Sequence, residues 1–330
     1  MSDAGALGRA RERRRPWRAL PGRVKRKFLF RALGVAVAAL VLALLVRYAT
    51  QVDWDGVLHS LRRYEAHELA LAFGFVVLSH LCYGAYDLVG RAYTKHKLPR
   101  GLTYAVAVVG YAFNLNLGAV LGGALLRFRM YTRLGLAKPT VARILALTVA
   151  TNWLGYTLLA GAAFVAQVTP EPEGWTTGRR ALQAIGVLLL GVAFAYLMLC
   201  AYAVRRSYTF RTHTLILPKV QLALVQFSLG LCNWAAIGAV LYVLFDAQVP
   251  YVTVLGVLFL GVVATLIVRV PAGIGPLDAV FLALLTRQLP HTEVIAALLA
   301  YRAIYYLVPL VLAIPGYLLI ERYAARGGKA

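Results

Sequence analysis

The chain has 330 residues, of which 61% are hydrophobic and 15% charged, and its mean hydropathy is +0.70. Soluble domains are about half apolar and about a quarter charged, so this composition excludes an ordinary soluble enzyme and indicates an integral membrane protein. The net charge of +22 would suggest nucleic-acid binding in a soluble protein, but no nucleic-acid motif is present. Most Lys and Arg lie between apolar stretches, as in cytoplasmic loops. We expect no nucleic-acid partner.

The N-terminal segment 1–31 carries eleven of the 35 Lys and Arg residues, and an apolar run at 32–46 follows it. A basic start with a short apolar core is typical of a signal peptide, but no small-x-small cleavage site comes after it. With the apolar residues just before it, the run approaches the ~20 residues that a membrane span needs. We therefore predict an uncleaved first helix behind a basic cytoplasmic tail.

Segment 52–64 differs from the apolar stretches around it. Its apolar residues recur at helical spacing, and Asp53 is placed to cap the start of a helix. These apolar residues are Trp54, Val57, Leu58, Leu61 and Tyr64. The pattern fits a short amphipathic helix on the outer membrane interface, or a connector packed against the protein.

The Lys and Arg residues in the loops indicate which of the later apolar stretches cross the membrane. The apolar stretches lie at 69–90, 102–125, 141–168, 181–204, 219–245, 251–268, 277–285 and 294–320. If each long stretch crossed, strict alternation would put loops 126–143 and 205–219 outside, with nine Lys and Arg on the wrong side. The conflict disappears if 102–125 dips in from the cytoplasm and returns, as a re-entrant hairpin.

The sequence of 102–125 suits such a turn, because Asn114, Asn116 and Gly118 interrupt the helix halfway along and Gly122–Gly123 follow. A second hairpin, dipping from outside, is predicted at 251–285, where a Pro- and Gly-rich turn is followed by a stretch too short to cross.

The predicted fold is an all-α polytopic membrane protein with six full spans and two re-entrant hairpins. A single transmembrane domain at 32–320 lies between cytoplasmic tails at 1–31 and 321–330. Each half of the domain has the order span, span, hairpin, span, with opposite orientation. Inverted repeats of this kind, with broken helices near the midplane, are a transporter architecture.

Several stretches resemble a known family in order and spacing. They are NLNLGAVLGGALLRFRMYTRLG at 114–135, PAGIGPLDAVFLALL at 271–285 and AYRAIYYLVP at 300–309. The chain resembles the transmembrane domain family of lysylphosphatidylglycerol synthases, the flippase half of bacterial multiple-peptide-resistance factors. The segments VDW at 52–54, YDLVGRAY at 86–93 and TNWLGY at 151–156 are similar to the stand-alone YbhN-type inner-membrane proteins of that family.

The resemblance implies a multi-pass protein of the bacterial inner membrane that handles phospholipids. It implies no lipid synthesis, because the synthases carry a soluble transferase domain for which this chain leaves no room after the membrane part. Two positions depart from the family pattern. Asp278 stands where Glu often follows the Gly-rich turn, and no acidic residue follows Gly122–Gly123.

Charged side chains inside the predicted spans mark a candidate headgroup site, because each costs about 2.5–3.5 kcal/mol to insert. Arg269 and Asp278 flank the tip of the second hairpin, and Arg302 lies ~12 Å into the last helix. We expect the three to meet near the midplane, where both arginines would bind a lipid phosphate. Asp278 would orient one arginine or contact an amine. The alternative is an Asp278–Arg302 salt bridge that fixes the hairpin to the last helix.

Four further residues complete the candidate site. Asn114 and Asn116 either line the cavity or cap the first hairpin. Arg127 and Arg129, at the cytoplasmic exit, either attract anionic lipids or anchor the loop. Structural turn residues are expected at Gly122, Gly123, Pro271, Gly273 and Gly275.

Asp87 is also predicted to lie inside a span. Arg91 follows it four residues later, the spacing of neighbours on one helix face. We predict an Asp87–Arg91 ion pair near the cytoplasmic end of that span.

These observations favour an inner-membrane phospholipid translocase, of the flippase or scramblase kind, for lipids with anionic headgroups. Two alternatives stay open: a secondary transporter for a small anionic solute, and a non-transporting partner of an envelope lipid-transfer protein. We expect no catalytic residue, cofactor or metal site, and the sequence leaves the oligomeric state open.

Overall fold

A computed structural model of the chain describes residues 53–170, 176–204, 207–210, 213–268 and 275–327. The predicted first helix at 32–46 lies outside these residues, as do Arg269, Pro271 and Gly273. The described part is almost entirely helical, as predicted, with one two-stranded β-hairpin.

The helices follow one another with short connections. They are α1 Trp54–Arg62, α2 Ala66–Thr94, α3 Arg100–Gly118, α4 Leu126–Arg133, α5 Lys138–Val165, α6 Thr176–Tyr202, α7 Val220–Leu244, α8 Tyr251–Val268, α9 Pro276–Leu285, α10 His291–Tyr301 and α11 Val308–Gly327. A first π segment, Ala119–Leu125, joins α3 to α4, and a second π segment, Arg302–Leu307, joins α10 to α11. Between α6 and α7, β1 Ser207–Phe210 pairs antiparallel with β2 His213–Ile216.

Six helices in the described part are long and apolar enough to cross a membrane. Five of them coincide with predicted spans: α2, α5, α6, α7 and the continuous run from α10 through α11. The sixth is α8, which is the first arm of the second predicted hairpin. The helix α3 is not among the six.

Local sequence explains where α1 and α2 begin and end. The Asp53 side chain caps α1 by accepting a hydrogen bond from Gly56 N at 3.0 Å, as predicted. At the start of α2, the Glu68 carboxylate accepts a hydrogen bond from Glu65 N at 2.9 Å, as in a capping box. The helix ends at Lys95, whose φ of +55° is left-handed.

The core forms where α2, α5 and α7 pack together. The most extensive helix–helix contact joins α2 to α7. The backbones of α5 and α7 come so close at Gly155 and Gly230 that a Cβ on either glycine would overlap the other helix. Small residues at such crossings allow close packing of membrane helices.

The helix break predicted in 102–125 falls at Gly118, and the first hairpin extends over 100–133. Gly118 has φ +82°, which reverses the chain. The returning arm then packs along α3. Gly122 lies against the backbone of Phe113, and Gly110 lies against the Arg127 side chain, with no room for a Cβ on either glycine.

The second hairpin is built in the same way from α8 and α9. Gly261 on α8 faces Leu277 on α9, and a Cβ at Gly261 would meet the Leu277 side chain. Gly275, with φ +94°, begins the returning arm. Asp278 accepts a hydrogen bond from Gly275 N at 2.8 Å and so stabilises the start of α9.

The short helix α1 has two different faces. Val57 is buried and Leu61 packs against the core, next to α10. Trp54 and Leu58 lie at the outer edge of the same apolar stripe and are about half exposed. Residues 53–64 are therefore packed against the protein along one edge of the apolar stripe and leave its other edge exposed.

Candidate functional site

A cavity of about 1040 Å³ lies between the two hairpins. The first hairpin contributes Tyr111, Asn114 and Gly123, and the second contributes Leu258 and Leu277. Side chains of α2, α5, α7 and the second π segment complete the walls. This is a volume that holds a lipid headgroup and part of its acyl chains or an ordinary small ligand.

The mouth of this cavity is apolar and open at the protein surface. Four lining side chains are about half exposed or more: Leu117 (51%), Val120 (70%), Val149 (56%) and Leu266 (48%). In contrast, Arg127 lines the interior and is only 2% exposed. The cavity therefore has an exposed apolar rim, and a buried cation lies in its interior wall.

Arg127 belongs to a buried polar cluster that joins the first hairpin to α2 and α5. Its guanidinium forms an ion pair with Asp87 and donates to Thr148 Oγ1 at 3.2 Å. The Asp87 carboxylate, which is fully buried, also accepts hydrogen bonds from Thr148 Oγ1 and Tyr131 OH, both at 2.6 Å. The ion pair thus fixes the returning arm of the hairpin to two neighbouring helices.

The predicted Asp87–Arg91 pair is wrong. The Arg91 side chain instead donates from Nε to the Leu98 carbonyl at 2.8 Å and so holds the connection that follows α2. Asp87 points to the hairpin, where a long-range partner replaces the local one. The helical i,i+4 rule missed it because Arg127 is distant in sequence.

Arg127 keeps unused hydrogen-bonding capacity beside the cavity. Its Nε is buried and has no hydrogen-bond partner among the described residues. The guanidinium also lies over the Tyr83 ring, 5.8 Å from the ring centroid, and Tyr83 lines the cavity. A buried cation with a free donor is suited to an anionic group that enters the cavity.

The predicted contact between Asp278 and Arg302 is present. Arg302 donates to both carboxylate oxygens of Asp278, at 2.7 and 2.9 Å, and both side chains are mostly buried. The pair lies directly behind the cavity wall, because Leu277 and Tyr306 line the cavity and Arg302 lies over the Tyr306 ring. It joins the second hairpin to the last helix.

The two asparagines have different positions. Asn114 lines the cavity, with its amide oxygen against Gly123 of the returning arm. Asn116 donates from Nδ2 to the carbonyls of Ala112 and Tyr306, at 2.8 and 3.1 Å. Asn116 therefore ties the hairpin tip to the second π segment by satisfying backbone groups, which was the structural alternative for it.

The remaining candidate site residues lie elsewhere. Arg129 is exposed and pairs with Glu321 on α11 at 3.4 Å, as Arg133 also does. Arg269 lies outside the described residues. Within the described ranges, no group of three or more His, Cys, Asp or Glu side chains is placed to hold a metal ion.

Sequence reasoning missed a cluster of hydroxyl and aromatic groups at one wall of the cavity. Tyr111 OH and Tyr305 OH are 2.6 Å apart, and Tyr305 OH is 2.7 Å from Ser79 Oγ. Ser79 in turn donates to Asn233 Oδ1 at 2.7 Å. Tyr83 stacks on Tyr111 with ring centroids 3.7 Å apart. No local sequence motif predicts this cluster, because its members come from four separate elements.

A second cavity of about 400 Å³ lies beside α1, at the opposite end of α2 from Asp87. Its carboxylates already serve the fold: Glu65 and Glu68 cap α2, and Glu293 pairs with Arg63 at 3.3 Å. Burial raises the pKa of the Tyr64 hydroxyl above its usual range, and the neighbouring carboxylate of Glu68 adds to the effect. This cavity holds α1 in place and does not join the site between the hairpins.

Comparison with known proteins agrees with the sequence motifs. The family described as the lysylphosphatidylglycerol synthase TM region matches residues 31–313. The inner membrane protein YbhN of Escherichia coli is 45% identical over 87% of this chain and 90% of its own length. An uncharacterized protein of Synechocystis is 28% identical over 84% of this chain and 87% of its own length. The phosphatidylglycerol lysyltransferase of Staphylococcus haemolyticus is 35% identical over 25% of this chain and 10% of its own length.

The chain therefore belongs to the lysylphosphatidylglycerol synthase transmembrane family, as its motifs indicated. With its apolar helices, this makes it a multi-pass protein of the inner membrane.

Proposed function

We propose that this family member is a phospholipid translocase, which moves or presents lipids with anionic headgroups through the cavity between the two hairpins. The cavity with its exposed apolar rim carries the proposal. A lipid path has to open sideways to the bilayer, whereas a path for a small solute has to be sealed from it. The exposure of Leu117, Val120, Val149 and Leu266 therefore favours a lipid over a small anionic solute.

The proposal includes a topology in which both hairpins are re-entrant and both termini are cytoplasmic. In that arrangement the tips of the hairpins meet near the midplane, as in transporters built from inverted repeats. The irregular backbone at Gly118 and Gly275 is tolerated at membrane depth because Gly118 lines the cavity and Gly275 N donates to Asp278. The basic loops 91–101, 126–143 and 205–219 are then all cytoplasmic.

In our proposal, the lipid phosphate is bound first by Arg127. This guanidinium is held rigidly by Asp87 and Thr148, so little side-chain freedom is lost when it binds an anion. Its unpartnered Nε supplies the donor. Asn114, on the facing part of the cavity wall, adds an amide that can bond to the headgroup.

Arg302 would provide a second phosphate position once it leaves Asp278. This exchange leaves Asp278 with a hydrogen-bond donor, because Asp278 also accepts a hydrogen bond from Gly275 N at the start of α9. Because a helix N-terminus stabilises a carboxylate, Asp278 is not left bare when Arg302 turns to a phosphate. Arg269, which lies outside the described residues, is assigned to this second position only by its place in the sequence between α8 and α9.

One observation favours a further role as a membrane partner of an envelope lipid-transfer protein. Trp54 and Leu58 form an apolar stripe on α1 that the rest of the described chain leaves about half exposed. A stripe of this kind fits a membrane interface or the apolar face of a partner protein. No enzymatic activity is part of the proposal.

The test is lipid translocation in proteoliposomes with fluorescent lipids of varied headgroup. Above the background of protein-free liposomes, wild-type protein should move phosphatidylglycerol faster than a lipid with a neutral, phosphate-free headgroup, such as glucosyl diacylglycerol. The double variant Asp278→Asn with Arg302→Gln removes both charges of the buried pair and should fold, yet it should no longer move phosphatidylglycerol. Arg269→Gln should show the same loss. Normal rates in both variants would refute the assignment of this pair to the lipid path.

A further inference from the structure

His80 is a buried titratable residue that the proposed lipid path does not use. It lies in α2, within a helix long and apolar enough to span the membrane, and is only 7% exposed. Ionisable residues at such positions are rare and generally functional, because burial in the membrane is costly for them.

One ring nitrogen of His80 has a fixed role. Nδ1 lies 2.9 Å from the Val76 carbonyl, which only accepts hydrogen bonds, so Nδ1 carries a hydrogen in every protonation state. The other nitrogen, Nε2, is buried and has no hydrogen-bond partner among the described residues. In the neutral ring Nε2 is therefore an unused acceptor, and any proton that the ring gains binds there.

The surroundings of the ring connect it to the cavity. Its centroid lies 4.9 Å from that of Tyr111 on α3 and 5.4 Å from that of Tyr305 in the second π segment. Both tyrosines line the cavity, so one layer of side chains separates His80 from the lipid path. The two tyrosine rings are tilted by 57° and 62° against the imidazole, which therefore packs against aromatic rings of both elements.

The groups that face His80 from the neighbouring elements are otherwise neutral. Tyr111 and Tyr305 bond to each other through their hydroxyls, and Asn233 of α7 is reached through Ser79. The nearest charges along α2 belong to the Asp87–Arg127 pair, seven residues or roughly 10 Å away, where the two charges offset each other. A proton on Nε2 would therefore change the net charge of the cavity wall by one unit.

We propose that His80 is a proton-binding site that couples proton binding to the binding of an anionic lipid headgroup in the cavity. The inference rests on the proposed function for its lipid partner. Protonated His80 adds a positive charge behind Tyr111 and Tyr305 and strengthens the binding of a phosphate. Loss of the proton weakens that binding, so affinity for the lipid falls as the pH rises through the titration of His80. By reciprocity, bound lipid shifts this titration to higher pH.

The experiment has two independent readouts on the full chain in nanodiscs. The first is the NMR spectrum of protein labelled with ¹⁵N-histidine, with the His80 signals assigned by their loss in His80→Asn. The second is the affinity for dioctanoyl phosphatidylglycerol between pH 5 and pH 8. We expect the His80 ring to gain a proton towards the acidic end of this range and the affinity to fall by about tenfold from pH 5 to pH 8, a usual size for coupling between sites.

His80→Asn is the informative variant, because its side-chain amide can still donate to the Val76 carbonyl but cannot gain a proton. In this variant the affinity should no longer depend on pH. His67→Gln is the matched control, since His67 is exposed on the same helix and should leave the pH dependence unchanged.

The two readouts separate the possible failures. If the His80 ring stays neutral from pH 5 to pH 8, the proton site is refuted whatever the lipid does. If His80 titrates but the affinity of His80→Asn keeps the wild-type pH dependence, the coupling is refuted. If wild-type protein binds no phosphatidylglycerol at any pH, the proposed function fails, and the coupling fails with it.

Discussion

Replacing Arg127 tests whether the first hairpin is held by a buried ion pair. In Arg127→Gln, Asp87 would keep its hydrogen bonds from Thr148 and Tyr131 but lose its cationic partner. Asp87 is fully buried and the Arg127 side chain is 3% exposed, so solvent cannot replace the lost charge. Removing one partner of such a pair costs about 3–5 kcal/mol. We expect a loss of this size in the free energy of unfolding.

The measurement is SDS-induced unfolding in mixed micelles, arranged as a double-mutant cycle. Asp87→Asn alone should be similarly destabilised, whereas the double variant Asp87→Asn with Arg127→Gln leaves no buried charge and should regain most of the loss. Arg91→Gln is the matched control. It removes one hydrogen bond, to the Leu98 carbonyl, and should cost about 1 kcal/mol without any coupling to Asp87→Asn.

The opposite pattern of coupling energies would show that Asp87 pairs with Arg91 and not with Arg127. A strong coupling of Asp87→Asn to Arg91→Gln, together with none to Arg127→Gln, would restore the local helical pair. It would also remove the link between the first hairpin and α2.

Three further predictions concern the hairpin, the topology and α1. Gly122→Ala should destabilise the protein, because a Cβ there collides with the backbone of α3. Gly74→Ala, where a Cβ meets open space, should be neutral or stabilising by up to about 1 kcal/mol in the same unfolding assay. Cysteines at exposed positions Lys97 and Ala137 should react with a membrane-impermeant maleimide only after the cytoplasmic face is opened; labelling of position 137 from outside would contradict the re-entrant first hairpin. Leu58→Asp should lower the lipid exposure of a spin label attached at Trp54→Cys while the core stays folded; unchanged lipid exposure of the label would reduce α1 to a connector.

Features set by local sequence could be predicted well. The break at Gly118 follows from asparagines and glycines in the middle of an apolar stretch, and these residues destabilise a helix wherever they stand. The Asp53 cap follows from its place before an apolar periodicity. The contact between Asp278 and Arg302 follows from the cost of burying either charge alone.

Features set by tertiary packing were not predictable in the same way. Asp87 has a suitable partner four residues away, yet it pairs with Arg127 across the hairpin, because the returning arm brings that guanidinium to the buried face of α2. Leu61 and Leu58 are equivalent in the periodic pattern of α1. In the structure Leu61 packs against the core, whereas Leu58 stays about half exposed.

The tyrosine cluster at the cavity was missed for a related reason. Tyr83, Tyr111 and Tyr305 belong to three separate apolar segments. Tyrosines are common in membrane proteins, so none of the three indicates a cluster by itself. Their hydroxyl contacts depend on the π-helical turn after α10 and on the position of α3. Spacing along the chain gives no signal for such a contact.

If lipid moves through the cavity between the hairpins, a bulky group attached at the cavity mouth should stop that movement. Val149 and Val187 are matched valines on α5 and α6, 56% and 60% exposed, but only Val149 lines the cavity. Each is changed to cysteine in a chain whose three native cysteines are replaced by alanine, and a bulky maleimide is then attached. Modification at Val149→Cys should stop phosphatidylglycerol translocation in proteoliposomes, and modification at Val187→Cys should leave it unchanged. Equal translocation in the two modified proteins would show that lipid does not pass through this cavity.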